Sequence, residues 1–272
     1  MSTSAALFQR LLEVIAKLRD PKDGCPWDLQ QTHESLKPYL IEEAYETIDA
    51  IDKGKHDKNY AKLCEELGDV LLQVVLHSQV AKDNKEFSID DVVKGLTEKL
   101  VHRHPHVFGD TKVSSAQEVT QNWERLKAKE QPSAHILAGL PKSMPALLKC
   151  HRIGEKVGRI GFDWPDSKEV RDKVREELNE FLEADDKAQR DAAHVKEELG
   201  DLLFTLAQLA RKMGLNAEDV LIEANDKFCG RFAQIEALGE YRLSEKTPEE
   251  LENYWQQVKA KEKAATKKTQ PK

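Results

Sequence analysis

The chain repeats a series of motifs, in the same order, about 130 residues farther along its length. The stretch EELGDVLL at residues 65–72 is followed 132 residues later by EELGDLLF at residues 197–204. Three further matches recur in the same order, at offsets of 128 to 134 residues: the acidic segments 42–46 and 176–180, Lys99 and Arg103 with Lys227 and Arg231, and Trp123 and Lys127 with Trp255 and Lys259. This period is far longer than the roughly 20–50 residues of solenoid repeats. The repeat therefore predicts two copies of one domain.

Composition and periodicity assign the repeated domain to the all-α class. The chain has only 13 Gly and 10 Pro among 272 residues, and 33% of its residues are charged. Its apolar residues follow the 3.6-residue stripe of a helix, without the alternation that marks a strand. The stripe consists of Leu67, Val70, Leu71, Val74 and Val75 in the first copy and Leu199, Leu202, Leu203 and Leu206 in the second. We therefore predict tandem duplicated helical domains, each built like an αα-hairpin or a four-helix bundle.

Breaker residues indicate where the two copies are joined. Pro132, Gly139, Pro141 and Pro145 interrupt the helical pattern between the copies. The predicted organisation is an N-terminal helical domain over residues 1–129, a linker over 130–146 and a C-terminal helical domain over 147–260. Residues 261–272 are basic and lack aromatic side chains, which is typical of a flexible tail.

Charge, cysteine usage and hydropathy exclude several classes of protein. A net charge of −7 is a poor basis for binding nucleic acid, whose phosphates require clustered positive charge. The four cysteines form no C-x-x-C pair, so neither a disulfide framework nor a zinc finger is expected. The longest apolar stretches are about ten residues, whereas a membrane-spanning helix needs roughly 18. Since the N-terminus also shows no signal-peptide pattern, we expect a cytoplasmic protein without membrane or nucleic-acid partners.

Each copy carries two pairs of acidic residues at the helical i, i+3 spacing. The second copy has Glu177 with Glu180 and Glu198 with Asp201. The first copy has the equivalent set Glu43, Glu46, Glu66 and Asp69. The spacing places both carboxylates of a pair on one side of a helix. Polar segments around Gly54 and around residues 185–191 separate the pairs, so an antiparallel hairpin can aim all four carboxylates at one volume.

Carboxylates crowded into one volume repel one another, and a divalent cation is their natural counter-charge. Ligands that are all oxygen favour Mg²⁺, with Mn²⁺ as a substitute, over zinc. Gly68 and Gly200 lie inside the helices beside the acids, which predicts a close approach by a ligand or a neighbouring helix. The alternative is an ordinary solvated helix face, which the duplication of both paired motifs disfavours.

Cationic and aromatic residues also recur at helical spacing. Lys227 with Arg231 and Trp255 with Lys259 lie at i, i+4. Taken alone, Lys227 with Arg231 is equally typical of ordinary surface charge, and Trp255 with Lys259 is more typical of a core tryptophan beside an extended lysine. Taken with the acids, they supply phosphate clamps and a stacking surface for a base. The run HRHPH at residues 102–106 instead predicts a structural motif at a helix end, because its proline breaks the helix.

The motifs Glu-Glu-x-x-Glu and Glu-x-x-Asp resemble the signature of the MazG nucleoside triphosphate pyrophosphohydrolases, in the all-α NTP pyrophosphatase superfamily. The resemblance spans nearly the whole chain and indicates the tandem-domain type. Further matching segments are GCPWD at residues 24–28, HRHPHVF at 102–108, GFDW at 161–164 and WQQVK at 255–259.

This resemblance implies broad-specificity, Mg²⁺-dependent hydrolysis of NTPs and dNTPs to the monophosphate and pyrophosphate, a house-cleaning reaction of the nucleotide pool. The implied catalytic and metal-binding residues are Glu177, Glu180, Glu198 and Asp201. The set Glu43, Glu46, Glu66 and Asp69 would be a second, weaker metal site. A homodimer is implied as well, in which paired helical hairpins complete the bundle of each domain.

The two copies differ in the cations beside their acids. Lys173 and Lys196 lie four and two positions before the acid pairs of the second copy. Tyr39 and Cys64 occupy the corresponding positions of the first copy. We therefore predict that the C-terminal copy is the working site. By resemblance, the substrate-binding residues are Lys173, Glu176, Lys196, Glu197, Lys227, Arg231, Trp255 and Lys259, with Lys127 from the end of the first copy.

Two other functions remain open. One is a narrow dUTP or dCTP pyrophosphatase of the same superfamily, against which the tandem arrangement and the histidine–proline motif speak. The other is a non-catalytic regulatory protein with relic acids, which the intact acids of both copies disfavour. Base preference is not predicted, since one stacking tryptophan accepts any base.

Overall fold

The computed structural model describes residues 3–130, 135–186, 191–240 and 242–269 of the chain. Over these ranges the backbone is helical and contains no strand, which confirms the all-α prediction. The chain divides into two compact units, Met1–Pro132 and Ser133–Lys272. No helix in the described ranges combines the length and the apolar character needed to cross a bilayer.

Unit 1 is organised around one long helical hairpin. Its helices are α1 (Thr3–Leu18), α2 (Pro26–Gln30), α3 (His33–Asp57), α4 (Ala61–Asp83), α5 (Ile89–Arg103), α6 (Pro105–Phe108) and α7 (Ala116–Glu130). Helices α3 and α4 pack along each other, and α1 packs on α4. The buried core between these helices consists of Ile15, Leu36, Val75, Leu76 and Val80.

The turn of this hairpin lies farther along the chain than predicted. Helix α3 begins with a capping box between Thr32 and Ser35, and it ends where Lys58 adopts a left-handed φ of 53°. The loop predicted around Gly54 is instead helix, and this glycine is buried. A Cβ at this position would lie 2.5 Å from Tyr60 Cδ1, so the glycine allows the turn to fold back onto α3.

Unit 2 contains the second hairpin. Its described elements are α8 (Ala146–Gly158), α9 (Ser167–Asp185), α10 (Ala192–Lys212), α11 (Ala217–Leu238), a 3₁₀ turn (Leu243–Glu245) and α12 (Pro248–Thr269). Helices α9 and α10 pack along each other, α8 packs on α10, and α11 packs on α12. The side chains of Asp166, Asp191 and Asn216 cap α9, α10 and α11 by accepting from backbone N–H groups. Residues 187–190 of the predicted connecting loop lie outside the described residues.

The GFDW segment attaches α10 to the loop that follows α8. Arg211 Nη2 donates to Asp163 Oδ1 at 2.6 Å, and Lys212 Nζ lies 2.9 Å from Asp163 Oδ2. Burial acts to raise the pKa of Asp163, but the two cations outweigh burial and lower this pKa overall. The buried Gln208 side chain also donates to the carbonyl of Cys150 at 2.6 Å. These contacts hold the end of the second hairpin in place.

The boundary between the units lies in the predicted linker, whereas the predicted tail is largely helical. The division between the units falls inside the predicted linker 130–146, of which residues 131–134 lie outside the described ranges. Helix α12 continues to Thr269, where a flexible tail was expected from residue 261. The segment KEKAATKKT lacks Gly and Pro and is rich in strong helix formers, which extends the helix. Residues 270–272 of the tail are not among those described.

Candidate metal and nucleotide site

The C-terminal acids converge on one side of the hairpin formed by α9 and α10. Glu177, Glu180 and Glu198, the C-terminal acid group, each have one carboxylate oxygen that lies within 4.8 Å of the corresponding oxygens of the other two. Glu177 is only 6% exposed, whereas Glu180 is exposed and Glu198 is half-buried. Asp201 lies one turn farther along α10, is exposed, and does not belong to this group. The hairpin thus brings three of the four predicted ligands together.

Unit 1 repeats this arrangement. Oxygen atoms of Glu43, Glu46 and Glu66, the N-terminal acid group, also lie within 4.8 Å of one another. Glu66 is 1% exposed, and its Oε2 has no hydrogen-bond partner among the described residues. A buried carboxylate oxygen without a donor is costly unless a cation compensates it. This donor set therefore fits a divalent ion that prefers oxygen ligands.

Mutual repulsion shifts the titration of the N-terminal acids. Burial, followed by the charge of Asp69, raises the pKa of Glu43. The charge of Glu66, followed by burial, raises the pKa of Glu46. Asp69 does not belong to the acid group, but it lies close enough to act on it electrostatically. The four acids predicted for this copy therefore carry an excess of negative charge that a bound cation would relieve.

One lysine contacts the buried acid of each copy. In unit 2, Lys173 Nζ lies 2.8 Å from Glu177 Oε1 and 2.8 Å from Glu176 Oε1. In unit 1, Lys62 Nζ lies 2.7 Å from Glu66 Oε1. The hydrogen bonds to these carboxylates raise the pKa of both lysines. Both ammonium groups are therefore firmly charged and offset part of the negative charge around them.

Lys62 reduces the predicted difference between the copies, because the N-terminal acids also have a lysine beside them. It precedes Glu66 by four positions, a spacing at which helical side chains meet, so the sequence did contain its signal. In unit 2 the corresponding place is held by His194, whose Nδ1 lies 3.4 Å from Glu198 Oε1. Lys196 is exposed on the same helix, α10. The lysine on the buried acid thus comes from α4 in unit 1 and from α9 in unit 2.

The glycines beside the acids face open space. A Cβ built on Gly68 or on Gly200 would have no described atom within 4 Å, other than those of its own local backbone. The close approach of a neighbouring helix that was predicted for them is therefore absent within the described ranges. Both glycines leave the exposed helix surface beside the acids without side-chain bulk.

An arginine stacks on a tryptophan where α11 meets α12. The guanidinium carbon of Arg231 lies 5.5 Å from the ring centroid of Trp255, and the ring of Phe228 lies 5.4 Å from the same centroid. Glu262 Oε2 accepts hydrogen bonds from Arg231 Nε at 2.9 Å and from Nη2 at 2.7 Å. Glu262 was not among the residues predicted from the sequence, although both copies read KAKE, at residues 127–130 and 259–262.

Unit 1 has the equivalent contacts. The guanidinium carbon of Arg103 lies 5.1 Å from the ring centroid of Trp123, and Arg103 Nε donates to Glu130 Oε1 at 3.2 Å. The imidazole of His104 packs edge-on against Trp123, with a centroid separation of 5.0 Å. His104 Nδ1 also lies 2.6 Å from the carbonyl oxygen of Leu100. Helix α5 ends immediately before His104, so the histidine–proline run lies at a helix end, as expected.

The remaining predicted substrate residues lie on described helices. Lys227 is exposed on α11, Lys259 is half-buried on α12, and Glu197 is exposed on α10. Lys127 lies on α7 in unit 1. Their contacts with a nucleotide remain predictions.

Comparison with known proteins identifies the family. The model of the MazG nucleotide pyrophosphohydrolase domain matches the chain twice, at residues 31–108 and 166–235, and both matches contain an acid set. The chain is 44% identical over 264 residues to the nucleoside triphosphate pyrophosphohydrolase/pyrophosphatase MazG of Thermotoga maritima, covering 95% of this chain and 98% of that protein. It is 41% identical over 261 residues to the nucleoside triphosphate pyrophosphohydrolase of Escherichia coli K12, covering 94% and 98%.

A further relative is the uncharacterized protein YabN of Bacillus subtilis, which is 42% identical over 261 residues, covering 94% of this chain and 52% of that protein. The two domain matches and the nearly full-length similarity lead to the same assignment as the paired acid groups. The chain belongs to the MazG nucleotide pyrophosphohydrolase family.

Proposed function

We propose that the chain hydrolyses nucleoside triphosphates, both NTPs and dNTPs, to the nucleoside monophosphate and pyrophosphate. The observation that carries this proposal is the C-terminal acid group, whose oxygens lie within 4.8 Å of one another beside Lys173. Family membership and the names of the T. maritima and E. coli relatives support the proposal. We assign the reaction to nucleotide-pool house-cleaning in the cytoplasm.

We propose Mg²⁺, with Mn²⁺ as a substitute, as the cofactor. The residues that would hold it in unit 2 are Glu177, Glu180, Glu198 and Asp201. The second, weaker set is Glu43, Glu46, Glu66 and Asp69. Bound Mg²⁺ neutralises phosphate charge and lowers the pKa of coordinated water. The all-oxygen donor set and the unpartnered, buried Oε2 of Glu66 support this choice of ion.

We propose that cationic and aromatic side chains of unit 2 bind the triphosphate. Lys173 lies at the edge of that group, and Arg231 offers a planar guanidinium that suits phosphate oxygens. Trp255 provides a ring on which a base can stack, and stacking accepts every base, which supports broad specificity. The other residues proposed to contact the nucleotide are Glu176, Lys196, Glu197, Lys227, Lys259 and Lys127.

We assign turnover to the C-terminal copy. Lys173 and Lys196 provide two lysines next to its acids along α9 and α10. Unit 1 has Lys62 on one of its acids, but Tyr39 and Cys64 at the positions equivalent to Lys173 and Lys196. A highly anionic triphosphate favours the copy with more cationic neighbours.

Product analysis tests the proposed reaction. The purified protein is incubated with Mg²⁺ and each of the NTPs and dNTPs in turn, and the products are separated by chromatography. We expect monophosphate and pyrophosphate in equal amounts from most of the substrates. A diphosphate as the first product would overturn the reaction type, and hydrolysis confined to dUTP or dCTP would overturn the broad specificity.

The hairpins leave large apolar side chains exposed. Leu199, Leu203 and Leu206 on α10 are 41%, 49% and 43% exposed. The hairpin helices α9, α3 and α4 also expose large apolar side chains, namely Leu178 and Leu182 in unit 2 and Ile41, Ile48, Ile51, Leu67, Leu71 and Val74 in unit 1. A stripe of this size on a soluble helix usually marks an interaction surface. We therefore propose a homodimer in which paired hairpins complete helical bundles.

Light scattering at micromolar concentration is expected to give twice the chain mass of 30.9 kDa. The double substitution of Leu199→Asp and Leu203→Asp should shift the protein to the monomer, because it places charges on the proposed interface. Ile160→Asp is the matched control, since Ile160 is 68% exposed and lies outside the hairpin. A monomeric wild type, or a leucine variant that stays dimeric, would contradict the proposal.

A further inference from the structure

Arg231 is held from two directions. Its guanidinium carbon lies 5.5 Å from the ring centroid of Trp255, and its Nε and Nη2 both donate to Glu262 Oε2. The hydrogen bonds to Glu262 raise the pKa of Arg231, and the hydrogen bonds from Arg231 lower the pKa of Glu262. Both groups are thus charged throughout the neutral range. A guanidinium fixed on one edge by a carboxylate and on one face by an indole has little rotational freedom left.

These contacts leave one amine of Arg231 available. Glu262 engages Nε and Nη2, and no hydrogen bond among the described residues uses Nη1. Lys227, one helical turn before Arg231 on α11, also acts electrostatically on Glu262 and lowers its pKa. An anion that approaches Arg231 therefore finds an available donor and a second cation nearby. A phosphate group has the charge and the acceptors for such a position.

The same three residue types meet in unit 1, where Arg103 lies over Trp123 and donates to Glu130. The arginine, the tryptophan and the glutamate are thus duplicated together, although the glutamate lies 27 residues from Arg103 and 31 residues from Arg231. The duplicate offers an internal control, because we assign turnover to unit 2. A substitution of Glu130 in unit 1 removes the same type of ion pair from the copy that is not proposed to turn over substrate.

We propose that Glu262 is a positioning residue of the nucleotide site: it holds Arg231 over the ring of Trp255, so that Nη1 contacts phosphate while the base stacks nearby. This inference rests on the proposed function. Without the carboxylate, the guanidinium loses its fixed edge and must be ordered when the nucleotide binds. This ordering weakens nucleotide binding and leaves the chemical step unchanged, because Glu262 touches no reacting atom.

Glu262→Gln tests this role, because the amide keeps the shape of the side chain and removes its charge. Glu130→Gln is the matched control in unit 1. We measure KM and kcat for ATP with Mg²⁺, the Kd of an ATP analogue with a non-hydrolysable α,β-methylene bridge, and the melting temperature. For Glu262→Gln we expect KM and Kd to rise about tenfold with kcat within about twofold, since weaker ordering of one charge-assisted contact commonly has that effect.

Glu130→Gln is expected to leave KM and Kd within about twofold of the wild type, because it lies outside the copy to which turnover is assigned. Equal losses of melting temperature in both variants, with unchanged KM and Kd, would mean that the ion pair only stabilises the packing of two helices, and would overturn the inference. A loss of kcat with unchanged KM and Kd would overturn it as well. A wild type that binds the analogue but releases no monophosphate refutes the proposed function, and the Kd comparison still decides the role of Glu262. A wild type that does not bind the analogue overturns both.

Discussion

Glu177→Gln is expected to abolish turnover, lowering kcat by about a thousandfold or more. Glu177 is the buried member of the C-terminal acid group, and the amide removes both a charge that we propose binds Mg²⁺ and the partner of Lys173. Loss of several kcal/mol of transition-state stabilisation gives this effect, since each ~1.4 kcal/mol is about tenfold in rate. Glu43→Gln, the equivalent change in unit 1, should retain most of the activity. Steady-state assays of monophosphate release measure both variants.

A second pair of matched variants makes the same comparison on the other helix of each hairpin, α10 in unit 2 and α4 in unit 1. Asp201→Asn should abolish turnover, whereas Asp69→Asn should retain most of it. Light scattering and thermal melts confirm that each variant remains assembled and folded, so that loss of structure is not mistaken for loss of catalysis. Equal loss of activity in folded Glu43→Gln or Asp69→Asn would show that the working site is not confined to the C-terminal copy. In that case Lys62, whose ammonium lies on Glu66, would supply the cationic contact of unit 1.

The parts of the site that follow from spacing along one helix could be predicted. An i, i+3 pair must face one side, and a hairpin brings two such faces together, so the sequence alone predicts the convergence of Glu177, Glu180 and Glu198. Lys62 obeys a similar i, i+4 rule, but its counterpart in the second copy is His194, so matching the lysines of the two copies does not reveal it. For these residues the physical information is local and lies in the sequence.

Contacts between distant segments are harder to predict, because they depend on how helices and loops pack against one another. Asp163 and Arg211 are 48 residues apart, and Arg231 and Glu262 are 31 apart, so no local rule joins them. The buried Gly54 is a similar case: glycine is an ordinary turn signal, but here it is required by a side chain, Tyr60, that folds back onto the helix. Tertiary packing overrides the local preference.

Removal of the metal is expected to eliminate activity completely. With excess EDTA, the acids that we propose as ligands would be left as uncompensated negative charges, and they would repel the anionic substrate as well as one another. Addition of Mg²⁺ beyond the chelator should restore full activity, and Mn²⁺ should restore at least part of it. Monophosphate release is the measurement. Full activity in excess EDTA would rule out the proposed cofactor.

Repulsion among the carboxylates of the N-terminal acid group should also lower the stability of the metal-free protein. The pKa values of Glu43 and Glu46 are raised above the ordinary value of 4.5, so the folded state binds more protons than the unfolded state between that value and the raised pKa. Stability contributed by these groups therefore falls as the pH rises through this window, and the penalty is fully present above the raised pKa. Replacing both glutamates with glutamine removes the penalty at every pH.

In EDTA the double variant Glu43→Gln with Glu46→Gln should therefore melt above the wild type at pH 7. The difference should shrink toward pH 4.5, because protonation then neutralises the same carboxylates in the wild type. Comparing the two proteins at each pH cancels the titration of groups with lowered pKa values, such as Asp163, that they share. Mg²⁺ should raise the melting temperature of the wild type more than that of the variant, since the variant has lost two oxygen ligands of unit 1. A variant that melts below the wild type at pH 7 would contradict this prediction, as would a difference in melting temperature that grows on acidification. Either result would mean that these carboxylates stabilise the metal-free fold, and that they do not repel one another in the absence of a cation.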